Sequence, residues 1–391
     1  MFPKTFFTRL LNIQYPLIQA PMSPITSAEL VANVSNAGGL GTIAGARMTG
    51  EQLKQEIHRV RSLTTKPFGV NLFITPASQP EFSLRSIDLL RKQLKQFVIE
   101  KKLTNCPIDF DALTVQPPKD LFPEQIEVIC KEKIPVLSFT FGYLPENIVR
   151  RCQQQGIRMI GTATTAHEAV VLKEKGCDAV CLQGSEAGGH RGSFLTNDTE
   201  TIEKSTIGLQ SLLSQTTQFI DPKKYPLIAA GGIMDGTGLA NAIISGASAV
   251  QMGTRFLTCD ESVKLVPRAH RKLLLEAKND LTKLHPTVLT RAYTGKPARG
   301  IRTAITDYFH PNENNNEQKM ILPWQIQAQL VLFLCKYAAE IEQIDFMQLW
   351  AGQNYARCDS QSATKIVEEV IEQAQQILRS MKVKDFSSIR E

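Results

Sequence analysis

The chain has 391 residues, 42% hydrophobic and 21% charged, an ordinary soluble composition long enough to bury one large core. Its 44 basic and 38 acidic residues leave a net charge of +6, too thin an excess to argue for a nucleic-acid partner. Eight cysteines without a Cys-x-x-Cys pair point away from zinc and disulfide frameworks and read as buried, reduced thiols.

The N-terminal segment MFPKTFFTRLLNIQYP has neither a long apolar stretch nor a small-residue cleavage site, so no export signal is expected. From Gln14 onward, short apolar segments alternate with helical ones, as parallel strands buried on both faces require. The predicted strands are Gln14 to Pro21, Leu40 to Ala44, Phe68 to Ile74, Val136 to Phe141, Arg158 to Ala163, Ala179 to Gln183, Leu227 to Ala230 and Ala249 to Met252. A first helix is expected after Thr26 or Ser27, stopping before Gly38, and a second from about Thr49. Others are predicted at Glu124 to Glu132, Pro145 to Gln154, Ala166 to Lys175, Thr206 to Gln215 and Gly238 to Ser245. This pattern predicts an α/β fold, a (β/α)8 TIM barrel over residues 1–258. An open doubly wound sheet is the alternative.

An insertion at 75–120 follows the third strand. It contains a basic amphipathic helix, roughly Leu84 to Leu103, read as a solvated helix face in preference to a membrane or partner surface. A mostly helical C-terminal region, 259–391, is expected to cover the active site. Its stretch Pro311 to Lys319 reads as a surface loop, and the end from about Lys382 as mobile. The longest apolar run, Leu330 to Cys335, is too short for a bilayer, so a cytoplasmic protein with no membrane partner is expected.

In such a barrel the chemistry lies on the loops leaving the C-terminal ends of the strands. Ala20-Pro21-Met22 follows the first strand, Asn71 lies near the end of the third, and Ser138 to Gly142 closes the fourth. Gln183 ends the sixth strand and leads into the loop Gly184 to Gly192. Gly231-Gly232 follows the seventh, and Gln251-Met252-Gly253-Thr254 closes the eighth. A phosphate needs several backbone N–H donors within about 3 Å, and a Cβ obstructs them. Barrels commonly place that site after strands seven and eight. Gly231, Gly232 and Gly253 are therefore candidates for a phosphate cradle, the alternative being tight turns that bind nothing. Gly39-Leu40-Gly41-Thr42-Ile43-Ala44 matches a loose dinucleotide pattern, but it lies before and inside a strand, where that motif does not function.

His190 is the outstanding titratable residue. It sits on the glycine-rich loop beside Arg191 and near Glu186, and imidazole titrates near neutrality. Its alternatives are to position the loop or to contact phosphate. His58, His167, His270, His285 and His310 are isolated in the sequence, and the rim loops offer no metal-ligand cluster and no carboxylate pair.

These segments resemble the nitronate monooxygenase family, also called 2-nitropropane dioxygenases. The matching stretches are QAPM at 19–22, SNAGGLG at 35–41, GVNLF at 69–73, SFTFG at 138–142, QGSEAGGHRG at 183–192, IAAGGIMDG at 228–236 and GASAVQMGTRFL at 246–257. They cover nearly the whole barrel, in order. The resemblance implies non-covalent FMN and no metal. Ala20, Pro21 and Met22 would lie against the isoalloxazine, and Asn71 and Gln183 would bond the flavin or its ribityl chain. Gly188, Gly232, Gln251, Met252, Gly253 and Thr254 would hold ribityl and phosphate. His190 would be the catalytic histidine beside flavin and substrate, with Ser138 and Lys296 as substrate contacts.

The implied reaction is oxidation of alkyl nitronates, such as propionate 3-nitronate, with O2 to a carbonyl compound and nitrite. The partners are a small-molecule substrate and O2, and the cofactor carries the difficult step. Flavin-dependent enoyl-acyl-carrier-protein reductases share the barrel and a similar Glu-Ala-Gly-Gly-His loop. An NAD(P)H-dependent flavin reductase acting on an enoyl thioester or a quinone is therefore the alternative, and SFTFG and Arg191 lean towards the nitronate enzymes. Past the barrel, Tyr293 to Gly300 resembles a family segment in which Arg is common where Lys296 stands, an exchange that matters wherever the guanidinium fork is used. Trp350-Ala351-Gly352-Gln353 resembles another segment near the active site, and the following Asn354 to Arg357 departs from its usual small residues.

Overall fold

A computed structural model describes residues 2–74, 82–103, 105–196, 206–309 and 320–383. The loop expected at 311–319 and the tail after Val383 fall outside the described residues. Six strands come first: β1 (Leu17–Gln19), β2 (Gly41–Ala44), β3 (Phe68–Phe73), β4 (Val136–Thr140), β5 (Arg158–Ala163) and β6 (Ala179–Gln183). A two-residue strand, β7 (Gly189–His190), belongs to a second sheet, and β8 (Leu227–Ala230) and β9 (Ala249–Met252) complete the first.

The eight strands run in the order β1-β9-β8-β6-β5-β4-β3-β2, every pair parallel. A parallel bridge between Ile18 and Leu40 joins the two ends of that order. The expected (β/α)8 barrel is therefore the fold. The first strand is shorter than Gln14 to Pro21 for a local reason. Pro16 and Pro21 carry no N–H, and Gln14 and Tyr15 donate instead to the Gly38 carbonyl.

Helix starts follow side-chain caps. Ser27 accepts from Leu30 N at 3.1 Å, Thr165 from Glu168 N at 3.1 Å and Asp235 from Gly238 N at 3.0 Å. Thr49 and Gln52 form a reciprocal capping box. The helix predicted from Thr206 runs Leu209–Thr217, because the Glu186 carboxylate reaches in and accepts from Leu209 N. The helix Phe6–Leu11 packs Phe7 and Leu11 with the inward-facing Ile18, Val136, Ile160 and Ile228. One end of the barrel is thereby filled, leaving a cavity towards the other.

The insertion helix, Leu84–Glu100, turns Ile87, Leu90, Leu94 and Phe97 into a second hydrophobic core. That core includes Ile305, Phe309, Leu330 and Leu334, so the amphipathic face is covered by the C-terminal region of the same chain. The region expected to be mostly helical also contains two strands, β10 (Thr287–Thr290) and β11 (Ala298–Ile301). These pair antiparallel with each other, and β11 pairs with β7. The final helix, Ala363–Val383, behaves differently from the rest of the region. Its Ile366, Val367, Val370 and Ile371 join the barrel core, and it packs on the helices Gly236–Ile244 and Ala28–Asn36. It occupies the place of the eighth barrel helix, so packing does not follow a division of the chain at residue 259.

Candidate active site

A cavity opens over the C-terminal ends of the strands. Of the predicted site residues, Ala20, Pro21, Met22, Asn71, Ser138, Gln183, Gly188, His190, Gly232, Gln251, Gly253 and Thr254 border it. Met252 does not: its side chain is buried in the barrel wall, and its carbonyl accepts from Ala20 N at 2.8 Å. Alternation along a strand turns Met252 outward from its lining neighbours Gln251 and Gly253. Lys296 also lies off the cavity wall. Its Nζ sits 4.6 Å from the ring centre of Phe141 and 5.7 Å from that of Trp324.

Gly231 and Gly232 have φ of +121° and +68°, in the range that favours glycine. Among the described residues, the backbone amides of Gly232, Gly253 and Thr254 donate to no protein acceptor. Three such donors on one rim fit the phosphate of a mononucleotide. The helix Gly236–Ile244 is a poorer candidate, because its first amides are engaged: Gly236 N donates to Gln373 Oε1 at 3.1 Å and Gly238 N to Asp235 Oδ1 at 3.0 Å. Gly188 is small for a different reason. A Cβ there would lie 2.5 Å from the Ala351 carbonyl carbon, so this glycine admits the protein's own backbone.

His190 lies in β7, an edge strand paired with β11, with Gly189 opposite Arg299 and His190 opposite Ala298. Gln183 fixes the loop from beneath, donating to His190 O and accepting from Gly192 N, both at 2.9 Å. Two buried arginines hold the same loop. Arg191 donates to Gly184 O at 2.7 Å and Gln183 O at 2.9 Å, and Arg299 Nε donates to Ser185 O at 2.7 Å. Arg191 therefore braces the loop, and burial beside Arg299 lowers its pKa to about 10.

The His190 ring is 2.9 Å from Thr294 Oγ1 through Nε2. Burial lowers its pKa to about 3, and the charges of Arg47 and Lys296 add to the effect. The imidazole is thus neutral at physiological pH.

Aromatic rings surround this histidine, with Trp350 at 5.7 Å, Phe141 at 6.1 Å and Phe73 at 6.4 Å between ring centres. Trp324 packs behind Phe73 and Phe141, tilted against the first and edge-on to the second. Phe141 has φ of +76°, an unusual backbone state for a bulky side chain and one that clusters at functional sites. The C-terminal segment closes the other side. Gly352 N donates to Thr254 Oγ1, Gln353 N to Glu186 O, and Asn354 Nδ2 to Gly232 O.

Arg47, on the turn after β2, also borders the cavity. It lies outside the motifs quoted above. The rim rule applied to the second strand would have found it.

The family described as nitronate monooxygenase matches residues 4–373. The chain belongs to the nitronate monooxygenase family. It is 38% identical over 373 residues to a protein of Staphylococcus haemolyticus named “Probable nitronate monooxygenase”, covering 95% of this chain and 97% of the relative. Identity to the Staphylococcus aureus (strain MSSA476) protein of the same name is 37% over 379 residues, covering 97% and 99%. The structure of nitroalkane oxidase from Streptomyces ansochromogenes aligns with a TM-score of 0.81 at 31% identity, covering 96% of this chain and 99% of that one. FabK from Thermotoga maritima aligns at 0.71 and 25%, covering 97% and 99%. The protein is accordingly an oxidoreductase, and among its described residues no helix is long and apolar enough to cross a membrane.

Proposed function

We propose that the chain is an FMN-dependent monooxygenase that oxidises alkyl nitronates, such as propionate 3-nitronate, with O2 to a carbonyl compound and nitrite. The observation that carries this reading is the neutral His190 in an aromatic pocket on the same cavity as the unpaired amides of Gly232, Gly253 and Thr254. FMN, when bound, supplies the electron acceptor for the nitronate. The three amides would take its phosphate. Ala20 and Met22, with the floor residues Ile160 and Cys181, offer the apolar surface that its ring requires.

His190 suits a nitronate better than a neutral nitroalkane. A general base works best with a pKa near the operating pH, and a ring held near 3 is a weak proton acceptor. A nitronate arrives with its carbon-bound proton already gone. His190 then has the simpler task of contacting the anion, while Phe73, Phe141 and Trp350 limit water around it.

The test is anaerobic. The flavin-loaded protein mixed with a nitronate is expected to bleach, and mixed with NADH to stay yellow. Rapid bleaching by NADH would instead establish the reductase alternative. Flavin released on denaturation should chromatograph as FMN, and FAD in its place would overturn the cofactor assignment.

A further inference from the structure

The charge around the cavity is one-sided. Among the described residues no Asp or Glu borders it, and with His190 neutral, Arg47 is the only bordering side chain with a formal charge. Arg47 ends the short turn Gly45–Arg47 that leaves β2. Among the described residues its guanidinium has neither a hydrogen bond nor an ion pair. Its exposed surface belongs to a side chain surrounded by enough protein that burial lowers its pKa.

The turn itself is pinned from below. Gln125, which is buried, donates through Nε2 to Gly45 O at 3.0 Å, Ala46 O at 3.4 Å and Met48 O at 2.7 Å. The backbone carrying the arginine is therefore fixed, while the guanidinium is left without a protein acceptor. A cation facing a cavity without an opposing carboxylate among the described residues can pair with an anion that enters it, and a guanidinium fork matches a planar group with two oxygens.

We propose that Arg47 is a specificity-determining residue that holds a planar two-oxygen anionic group of the substrate within this cavity. This rests on the nitronate reading above. The group is either the nitronate itself or a carboxylate elsewhere on the same molecule, since both present the same pair of oxygens to a guanidinium.

The test compares the wild type with Arg47→Met and Arg47→Lys, each loaded with flavin to equal occupancy. Substrates are propane 1-nitronate, which has no carboxylate, and propionate 3-nitronate, which has one. Losing a charge-assisted contact should raise KM by about tenfold or more in Arg47→Met, with kcat nearly unchanged and partial recovery in Arg47→Lys. A rise confined to propionate 3-nitronate identifies the carboxylate as the bound group; a rise on both substrates identifies the nitronate. A second readout needs no turnover: the affinity for propionate, measured by calorimetry, should fall by a similar factor in Arg47→Met. Unchanged KM on both substrates together with unchanged propionate affinity overturns the proposal. If the wild type oxidises neither nitronate, the functional reading fails, and propionate affinity still decides the role of Arg47.

Discussion

The barrel and the lobe that covers it contribute opposite things to one cavity. The barrel rim offers backbone: free amides at Gly232, Gly253 and Thr254, with small neighbours such as Ala20. The lobe offers side chains: Trp350 borders the cavity, Trp324 backs Phe73, the Thr294 hydroxyl contacts His190, and strand β11 pins that histidine. Backbone donors on rigid strand exits suit an invariant group such as a phosphate. Exchangeable side chains on a separate core suit the part of a substrate that varies. If this division is right, damage to the free amides after β8 and β9 should show in cofactor retention, and damage to the lobe, like loss of the charge of Arg47, in substrate handling.

The largest effect expected is on substrate form. A matched general base contributes typically 10²–10⁴-fold, and His190 near pKa 3 is not matched to neutral pH. The wild type should therefore use a nitronate about 10²–10⁴-fold more efficiently, by kcat/KM, than the parent nitroalkane. His190→Asn should lower nitronate turnover mainly through KM. Similar efficiency on both forms, with the His190→Asn loss confined to the nitroalkane, would mean that the lobe tunes His190 as a base after all.

Gly253→Val probes the barrel side. Its φ of −112° is open to any residue, and an added Cβ would meet only Ala20 Cβ at 3.4 Å and Met22 Sδ at 3.7 Å. The variant should fold with a melting temperature close to the wild type and lose its flavin, because the extra methyls crowd the free amides. Full flavin occupancy in a folded Gly253→Val protein would move the phosphate elsewhere.

The barrel was legible because its signals are local. Each strand is a short apolar run, and caps such as Ser27 and Thr49 lie within a few residues of what they cap. Most predicted site residues reached the cavity because one rule, reading strand exits, places them there. The lobe was not legible, since its contacts join distant residues. Leu84–Glu100 meets a core built mostly from residue 257 onward, and Gly188 meets Ala351. Met252 differs from its neighbours because strand alternation turns its side chain into the barrel wall, which a motif alone does not convey. The role of Arg191 was equally hidden: nothing in the sequence distinguishes a guanidinium that braces carbonyls from one that binds substrate.

His270 sharpens the lobe's side of the comparison. It is 2% exposed on the helix Arg268–Asn279, and burial lowers its pKa to about 4, partly offset by a backbone hydrogen bond at Trp350. A histidine whose folded pKa is depressed contributes full stability above its unfolded pKa of about 6.5. That contribution is lost as pH falls from there towards 4, because the unfolded chain binds the proton and the native one does not. The loss saturates at about 3 kcal/mol. His270→Gln should flatten the fall in melting temperature between pH 6.5 and 4, and an identical slope in the variant would clear His270 of the effect.

The smallest effect expected lies at the seam between the two regions, and it compares adjacent glycines. A Cβ on Gly188 would lie 2.5 Å from the Ala351 carbonyl carbon and 2.6 Å from Gly352 N, backbone atoms held in turn by Thr254. Backbone cannot swing aside as a flexible side chain does, so Gly188→Ala should cost about 1–3 kcal/mol as overpacking. It should also displace Trp350 from His190, raising KM for the nitronate. At Gly189 a Cβ meets nothing within 4 Å, but φ is +75°. Gly189→Ala therefore pays only for a left-handed backbone, about 1 kcal/mol, with KM close to the wild type. Thermal unfolding and nitronate kinetics on the two variants separate crowding from strain. If Gly189→Ala were the more damaging of the pair, the seam would be governed by the conformation of β7, and the close approach of the lobe backbone at Gly188 would be incidental to the site.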